Sequence, residues 1–254
     1  MKEQWRLIKT KNNSAFTNMA IDKAVLEANS KGKVPPTVRF YTWKPSAISI
    51  GYFQSLEDEI DLAVCKKFGI DYVRRITGGG AVFHDKELTY SIVISESHPQ
   101  IPKNILESYG KICGAVIKGL SNIGIESEYV PINDIAVGGK KISGNAQTRK
   151  LKTVLQHGTV LMDVDVEKMF KILKVPNEKI KDKLISDVKQ RVTSIKHILK
   201  NNVSFDILAN SMQIGFEKEF GIELVKGKLI KGEIDLTKKY EKEFFSSKDW
   251  NHKK

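Results

Sequence analysis

The sequence predicts an α+β fold, a mixed β-sheet flanked by helices, and three observations carry that prediction. Strand-like segments come in short-looped groups, helical stripes separate those groups, and the chain turns mainly helical and lysine-rich after Asp163. A doubly wound nucleotide-binding sheet would need the regular β-α-β alternation that is missing here.

Taken in order, "WRLIKT" (5–10) reads as a first strand. Ile21, Ala24, Val25 and Ala28 fall at i, i+3, i+4 and i+7, the stripe of an amphipathic helix. Pro35-Pro36 closes that region, and "TVRFYTW" and "AISIGYF" follow as β-rich runs joined at Lys44-Pro45-Ser46 in a hairpin-like turn. Ser55 with Asp58 forms a capping-box pattern for a short helix running to Phe68-Gly69. "DYVRR" is a strand leading into three glycines. Leu88, Tyr90, Ile92 and Ile94 then alternate with Thr89, Ser91, Val93 and Ser95, the pattern of a half-buried strand. Leu106, Tyr109, Cys113, Val116, Ile117 and Leu120 mark one face of a long helix. "DIAVGGKKISGNAQTR" and "TVLQHGTVLMDV" read as a second hairpin pair turning at Gly138-Gly139. Helices follow, broken by "IELV" (222–225). The expectation is one domain over 1–254, with a sheet-bearing body at 1–163 and a mainly helical portion at 164–254.

Composition narrows the function classes. The net charge of +12 allows two readings, attraction of an acidic partner or a solvated lysine-rich surface, and the dispersal of the lysines along the chain favours the second. No run approaches 18 apolar residues, so no membrane span is expected. The charged start "MKEQWRLIKTKNN" lacks an apolar signal core and predicts a cytoplasmic protein. Two cysteines and five scattered histidines show neither a disulfide framework nor metal-ligand spacing. Cys65 and Cys113 lie among apolar helical positions, where cysteine acts as a small inert hydrophobe.

The chemistry-bearing stretch is "RRITGGGAVFHD" (74–85). Consecutive glycines permit positive φ and let a ligand approach bare backbone, and their N–H groups can form a nest for an anion. Gly78-Gly79-Gly80 has no GxGxxG spacing and leads into a strand, so it is not a dinucleotide fingerprint. With Arg74 and Arg75 before it and His84-Asp85 after it, the run reads as a ligand loop. A second constellation is Asn133-Asp134 followed by "VGGKKISGNAQ". A strand lysine beside a glycine turn can place a point charge on a phosphate or carboxylate. Gly139 to Gly144 has P-loop spacing, but Asn145 stands where the lysine would be. "ISGNAQ" is small and polar for six residues, which suits a pocket wall better than a packing strand.

"RRITGGGAVFHD", "KKISGNAQTR" and "LQHGTVLMD" together resemble the lipoate–protein ligase A superfamily, which includes octanoyltransferases and the more distant biotin–protein ligases. "NMAIDKAV", "VRFYTWKPSAISIGYFQ" and "KDWN" extend the resemblance over most of the chain. It implies the biotin/lipoate protein ligase-like fold and an ATP-dependent lipoate–protein ligase. Such an enzyme forms lipoyl-AMP and passes the lipoyl group to a lysine of an acidic lipoyl domain or glycine-cleavage H protein. By the same resemblance Lys141 is the catalytic lysine, and Arg75 with Gly78, Gly79 and Gly80 holds the lipoyl and phosphate groups. Ala81, Val82 and Phe83 line the nucleotide, and Asn133 and Asp134 form the polar pair before Lys141. His84, Gly144, Ala146 and His157 complete the implied set, with ATP and Mg²⁺ as cofactors and Asp134 the candidate metal ligand.

Three departures shape the expectation. Cysteine-dependent octanoyltransferases carry their nucleophile in an insertion just before the segment matching Asn133-Asp134, whereas this chain runs directly "SEYVPINDIAV". Many ligases have Gly-Asn or Gly-Asp soon after the His-Asp pair, where Lys86-Glu87-Leu88 stands here, and "HDKELTYS" is closer to the transferase wording. Single-chain ligases continue into an accessory domain that is absent here, so the resemblance implies the catalytic half of a ligase with a separate accessory subunit. Two other readings stay open: an octanoyl or lipoyl transferase without the usual cysteine, and a non-catalytic lipoate-binding protein.

Overall fold

The computed structural model describes residues 2–174 and 181–253. The chain enters as β1 (Gln4–Lys9), then α1 (Ala15–Ser30), whose Ser14 side chain accepts from Thr17 N as an N-cap. Such a cap stabilises a helix by roughly 1 kcal/mol. Next come β2 (Thr37–Tyr41), β3 (Ala47–Ile50), α2 (Leu56–Glu59), α3 (Leu62–Phe68), β4 (Asp71–Arg74), β5 (Val82–His84) and β6 (Glu87–Ser95). After α4 (Ile105–Ser121) the chain forms β7 (Glu128–Val130), β8 (Asp134–Val137), β9 (Lys140–Lys150) and β10 (Thr153–Leu161). The rest comprises α5 (Val166–Ile172), α6 (Lys181–Arg191), α7 (Ile195–Leu199), α8 (Phe205–Phe220), β11 (Glu223–Lys226), α9 (Lys231–Tyr240), a π-helical turn at Glu241–Phe245 and α10 (Lys248–Asn251). Among the described residues no helix is long and apolar enough to cross a membrane.

Eight strands form one mixed sheet in the order β11-β1-β2-β6-β10-β9-β8-β7, and β4-β3-β5 form a small second sheet. Helices α4 and α8 cover one face of the large sheet, and α1 covers the other, so β6 is buried on both faces rather than half-buried. Leu88, Tyr90, Ile92 and Ile94 enter the α4–α8 core, while Thr89 and Ser91 face a polar network under α1. The alternation was real, but its polar partners are protein rather than water.

Two local expectations change. The runs at 37–43 and 47–53 are not a hairpin: β2 pairs with β1 and β6, whereas β3 crosses into the small sheet between β4 and β5. Ser55 makes no side-chain cap; the helix breaks at Ile60, and Asp61 caps α3 by accepting from Ala63 N and Val64 N at 3.0 Å each. The turn at Gly138-Gly139 forms as expected, with φ of +54° and +74°. The segment past Asp163 is mainly helical, and β11 adds its short apolar run to the edge of the large sheet.

Candidate active site

The two sheets meet over a cleft of about 160 Å³. Its first wall is the glycine loop between β4 and β5. Arg75 N donates to Ile50 O and Tyr52 N to Thr77 O, each at 2.9 Å, so the loop is laid directly over the end of β3. Gly51 makes that approach feasible, since a Cβ there would lie 1.9 Å from Gly79 O. Gly79 itself sits at φ +95°, a conformation that side chains disfavour.

The two arginines before the loop do not form an open anion grip. Arg75 is buried, donating to Ser49 O and Oγ at 2.7 Å and to Gly78 O and Gly80 O at 3.0 Å. It therefore shapes the loop through its carbonyls, and burial pushes its pKa down to about 10. Arg74 points away and is spent on carbonyls of Tyr52 at 3.0 Å, Trp250 at 2.9 Å and Asn251 at 2.9 Å. It ties the C-terminal segment to the loop after β3.

The second wall is β9 with β10. Strict alternation would put Lys141 and Gly144 on opposite faces. The register shifts instead: Ile135 opposes Ser143 but Ala136 opposes Lys141, leaving Ile142 as an extra residue. This bulge brings Lys141, Gly144 and Asp134 to one face. Lys141 Nζ pairs with Asp134 Oδ1 at 2.7 Å and remains 43% exposed. Its stem crosses bare Gly144, where a Cβ would meet Lys141 Cε at 2.8 Å. Asn145 Nδ2 donates to Asn133 O at 2.9 Å, and Asn145 Oδ1 accepts from Tyr90 OH at 2.7 Å. Gly158 leaves room for that amide, since a Cβ there would lie 1.9 Å from Asn145 Oδ1.

His157 joins the two walls. Its Nε2 lies 2.8 Å from Thr77 Oγ1 and its Nδ1 3.3 Å from Asp22 Oδ2. Burial holds His157 below its ordinary pKa despite the upward pull of Asp22. Neutral His157 therefore donates from Nδ1 to Asp22 and accepts from Thr77. Asp22 also accepts from Arg39 at 2.9 Å, Ser91 at 2.9 Å and Tyr41 at 3.1 Å. Burial alone would raise its pKa, but the His157 hydrogen bond and the Arg39 charge hold it below the ordinary value.

Of the residues expected from sequence, Arg75, Gly79, Gly80, Ala81, Val82, His84, Asn133, Lys141, Gly144, Ala146 and His157 line this one cleft. Gly78, Phe83 and Asp134 do not. Gly78 turns its carbonyl to Arg75, the Phe83 ring lies under Lys168 Nζ at 5.3 Å, and Asp134 acts through Lys141. Sequence reasoning missed Met19, Tyr41, Trp43, Ser49, Thr89, Asn145, Gly158 and Thr159, which complete the lining. On paper Tyr41, Trp43 and Thr89 read as ordinary packing-strand residues and Met19 as part of a helix core, so nothing local marks them. Neither cysteine reaches the cleft wall, and burial pushes Cys65 up to about 11 and Cys113 to about 12.

The Mg²⁺ expectation is not supported. Among the described residues no group of three or more His, Cys, Asp or Glu side chains could hold a metal, and Asp134 is engaged by Lys141. The donor set does not fit a protein-held magnesium ion.

A glycine loop and a strand lysine facing one apolar cleft across two sheets define the class: the lipoate-handling ligases and transferases. The chain belongs to the family of lipoyl protein ligase A/B catalytic domains, whose model matches residues 14–217. Octanoyltransferase LipM of Clostridioides difficile is 40% identical, over 99% of this chain and 99% of the relative. The bi-partite lipoate protein ligase of Thermoplasma acidophilum, described together with its E2 lipoyl domain as an archaeal lipoylation system, superposes with a TM-score of 0.89. It is 30% identical, covering 98% of this chain and 96% of that one. A lipoate-protein ligase A bound with ATP reaches 0.82 at 30% identity, over 99% of each chain.

These relatives correct the expected activity. Full-length curated relatives from 33% to 40% identity carry the name octanoyltransferase LipM, which overturns the ATP-dependent ligase expected from the motifs. The glycine loop and Lys141 strand belong to a fold that ligases and transferases share, so those motifs could not separate the two.

Proposed function

We infer that this chain is an acyltransferase that moves an octanoyl or lipoyl group onto a lysine amine of a lipoyl domain, without a cysteine in the transfer. The full-length likeness to octanoyltransferases supports the reaction type. The observation that carries it to residues is Lys141, poised by Asp134 over bare Gly144 on the wall of an apolar cleft. Forming an amide without nucleotide requires an acyl group already activated, and a thioester meets that need. Lys141 offers a positive charge to the oxyanion that develops when an amine attacks such a carbonyl. Met19, Tyr41, Trp43 and Val82 supply the apolar surface for the chain. ATP has no role in this reading, and the E2 lipoyl domain named with the Thermoplasma ligase as its partner in a lipoylation system supports the choice of acceptor.

The test incubates the full chain with an octanoyl thioester and an apo lipoyl domain, with no nucleotide. Octanoylated acceptor is the expected product. Modification only when free acid and ATP·Mg²⁺ are supplied would overturn the reading. Lys141→Ala should lower the transfer rate by about 10²–10³, the typical loss for one stabilising donor.

A further inference from the structure

The cleft wall holds a chain of groups that the transfer described above leaves unused. Ser49 Oγ lies 2.6 Å from His84 Nε2, and His84 Nδ1 lies 2.6 Å from Glu87 Oε1. The surroundings fix the proton directions. A guanidinium can only donate, so Ser49 Oγ accepts from Arg75 at 2.7 Å and its own proton is left for His84. A carboxylate can only accept, so Nδ1 of His84 carries a proton toward Glu87, and in the Nδ1–H tautomer the Nε2 lone pair faces Ser49. A serine donating to an imidazole with a carboxylate behind it is the layout of an activated nucleophile.

Three further features suit that role. Trp43 stacks on the His84 ring at 4.0 Å and donates its indole N–H to Thr89, whose hydroxyl donates to Glu87 Oε1 at 2.7 Å. Ring and carboxylate are thereby both held. Arg75 is a buried cation whose hydrogen bonds otherwise go to carbonyls, so its charge is free to stabilise an alkoxide at Ser49. Ser49 lies in the cleft wall with no accessible surface, the cleft included, so an acyl carbonyl reaches its hydroxyl only by parting the groups over it, and an ester formed there is screened from hydrolysis.

The other hydroxyl–histidine pair fits the role less well. Thr77 is not on the cleft wall, and Asp22 behind His157 is already neutralised by Arg39. Both cysteines lie outside the cleft. We propose that Ser49 is the covalent acyl carrier of this enzyme, with His84 as its base and Glu87 orienting His84. The proposal rests on the transferase reading and adds an intermediate to it. As Ser49 Oγ bonds to the thioester carbonyl carbon, its proton passes to His84 Nε2. The C–S bond then breaks, and the thiol leaves with that proton. In the second half the acceptor amine bonds to the ester carbon, the C–Oγ bond breaks, and one amine proton returns through His84 to Ser49.

The experiment mixes full-length protein with octanoyl-pantetheine and no acceptor, quenches in acid and measures the intact mass. One octanoyl group per chain, mapped to Ser49 by peptide fragmentation, is the expected result. Adding apo lipoyl domain should discharge it to the acceptor lysine. Ser49→Ala should lose the adduct and about 10³ or more in transfer rate, as expected for removal of a nucleophile. Ser49→Cys should restore an adduct, now as a thioester. Acceptor octanoylation by wild type with no Ser49 ester, and unchanged in Ser49→Ala, would overturn the nucleophile and leave the transferase standing. Failure of wild type to modify the acceptor at all would instead remove the transferase reading.

Discussion

Two buried histidines stand on the walls of the cleft, each between a hydroxyl and a carboxylate, and they differ in how the carboxylate is held. Asp22, behind His157, accepts from Arg39, Tyr41 and Ser91 as well, so its charge is matched and its oxygens are occupied. Glu87, behind His84, has Thr89 and His84 on one oxygen and no hydrogen-bond partner on the other among the described residues. The cation of that second chain sits at its opposite end, where Arg75 faces Ser49. A carboxylate neutralised at once contributes stability. One separated from its cation by a serine and an imidazole keeps a polarised chain available for chemistry.

The isosteric pair Asp22→Asn and Glu87→Gln sharpens this contrast. Asp22→Asn strips the counter-charge from fully buried Arg39 and should cost about 3–5 kcal/mol, read from the urea midpoint. Glu87→Gln keeps an acceptor for His84 and should cost only about 1 kcal/mol. The kinetic order should be reversed. Glu87→Gln should lower kcat by about 10² or more through a misoriented His84 ring, with KM little changed. Asp22→Asn, in the fraction that folds, should keep kcat within about tenfold, since the Arg39–Asp22 pair lies behind His157 rather than at Ser49. Equal stability losses, or equal losses of kcat, would erase the distinction between the two chains.

How much of this was legible in the sequence divides along the same line. Local signals located the first helix, the glycine turn at 138–139 and the glycine loop, whereas Lys141 was singled out only by the family resemblance. Long-range pairing was not legible. Nothing at 44–46 says that β2 and β3 belong to different sheets, because their partners lie elsewhere in the chain. Nor does a two-residue period reveal the extra Ile142 that turns Lys141 toward Gly144. Arg74 and Arg75 are neighbours with identical chemistry on paper, yet one bonds the C-terminal segment and the other the loop. Lys86-Glu87-Leu88, a departure from the ligase pattern, supplies the carboxylate behind His84. The glycine loop and Lys141 strand did not separate the activities, since ligases and transferases share them, and the one local pointer to a transferase was the wording "HDKELTYS".

The smallest expected effect is on the pH dependence of stability, and it too belongs to one chain. His157 is held below its ordinary pKa of 6.5 by burial, so the folded state resists the proton that the unfolded chain accepts. Where the unfolded state binds more protons, stability rises with pH. Stability should therefore begin to fall as the pH drops below about 6.5, the ordinary histidine value. Asp22 is also held below its ordinary value of 3.8, so its contribution is present above that pH and is lost on further acidification. The two groups act in the same direction, His157 first. Urea midpoints measured from pH 7.5 to 5 should decline in wild type and flatten in His157→Gln, which cannot take up the proton. His84→Gln should leave the part of the decline that belongs to His157 in place. A decline that survives in His157→Gln and disappears in His84→Gln would mean that the acid-sensitive chain is the one at Ser49.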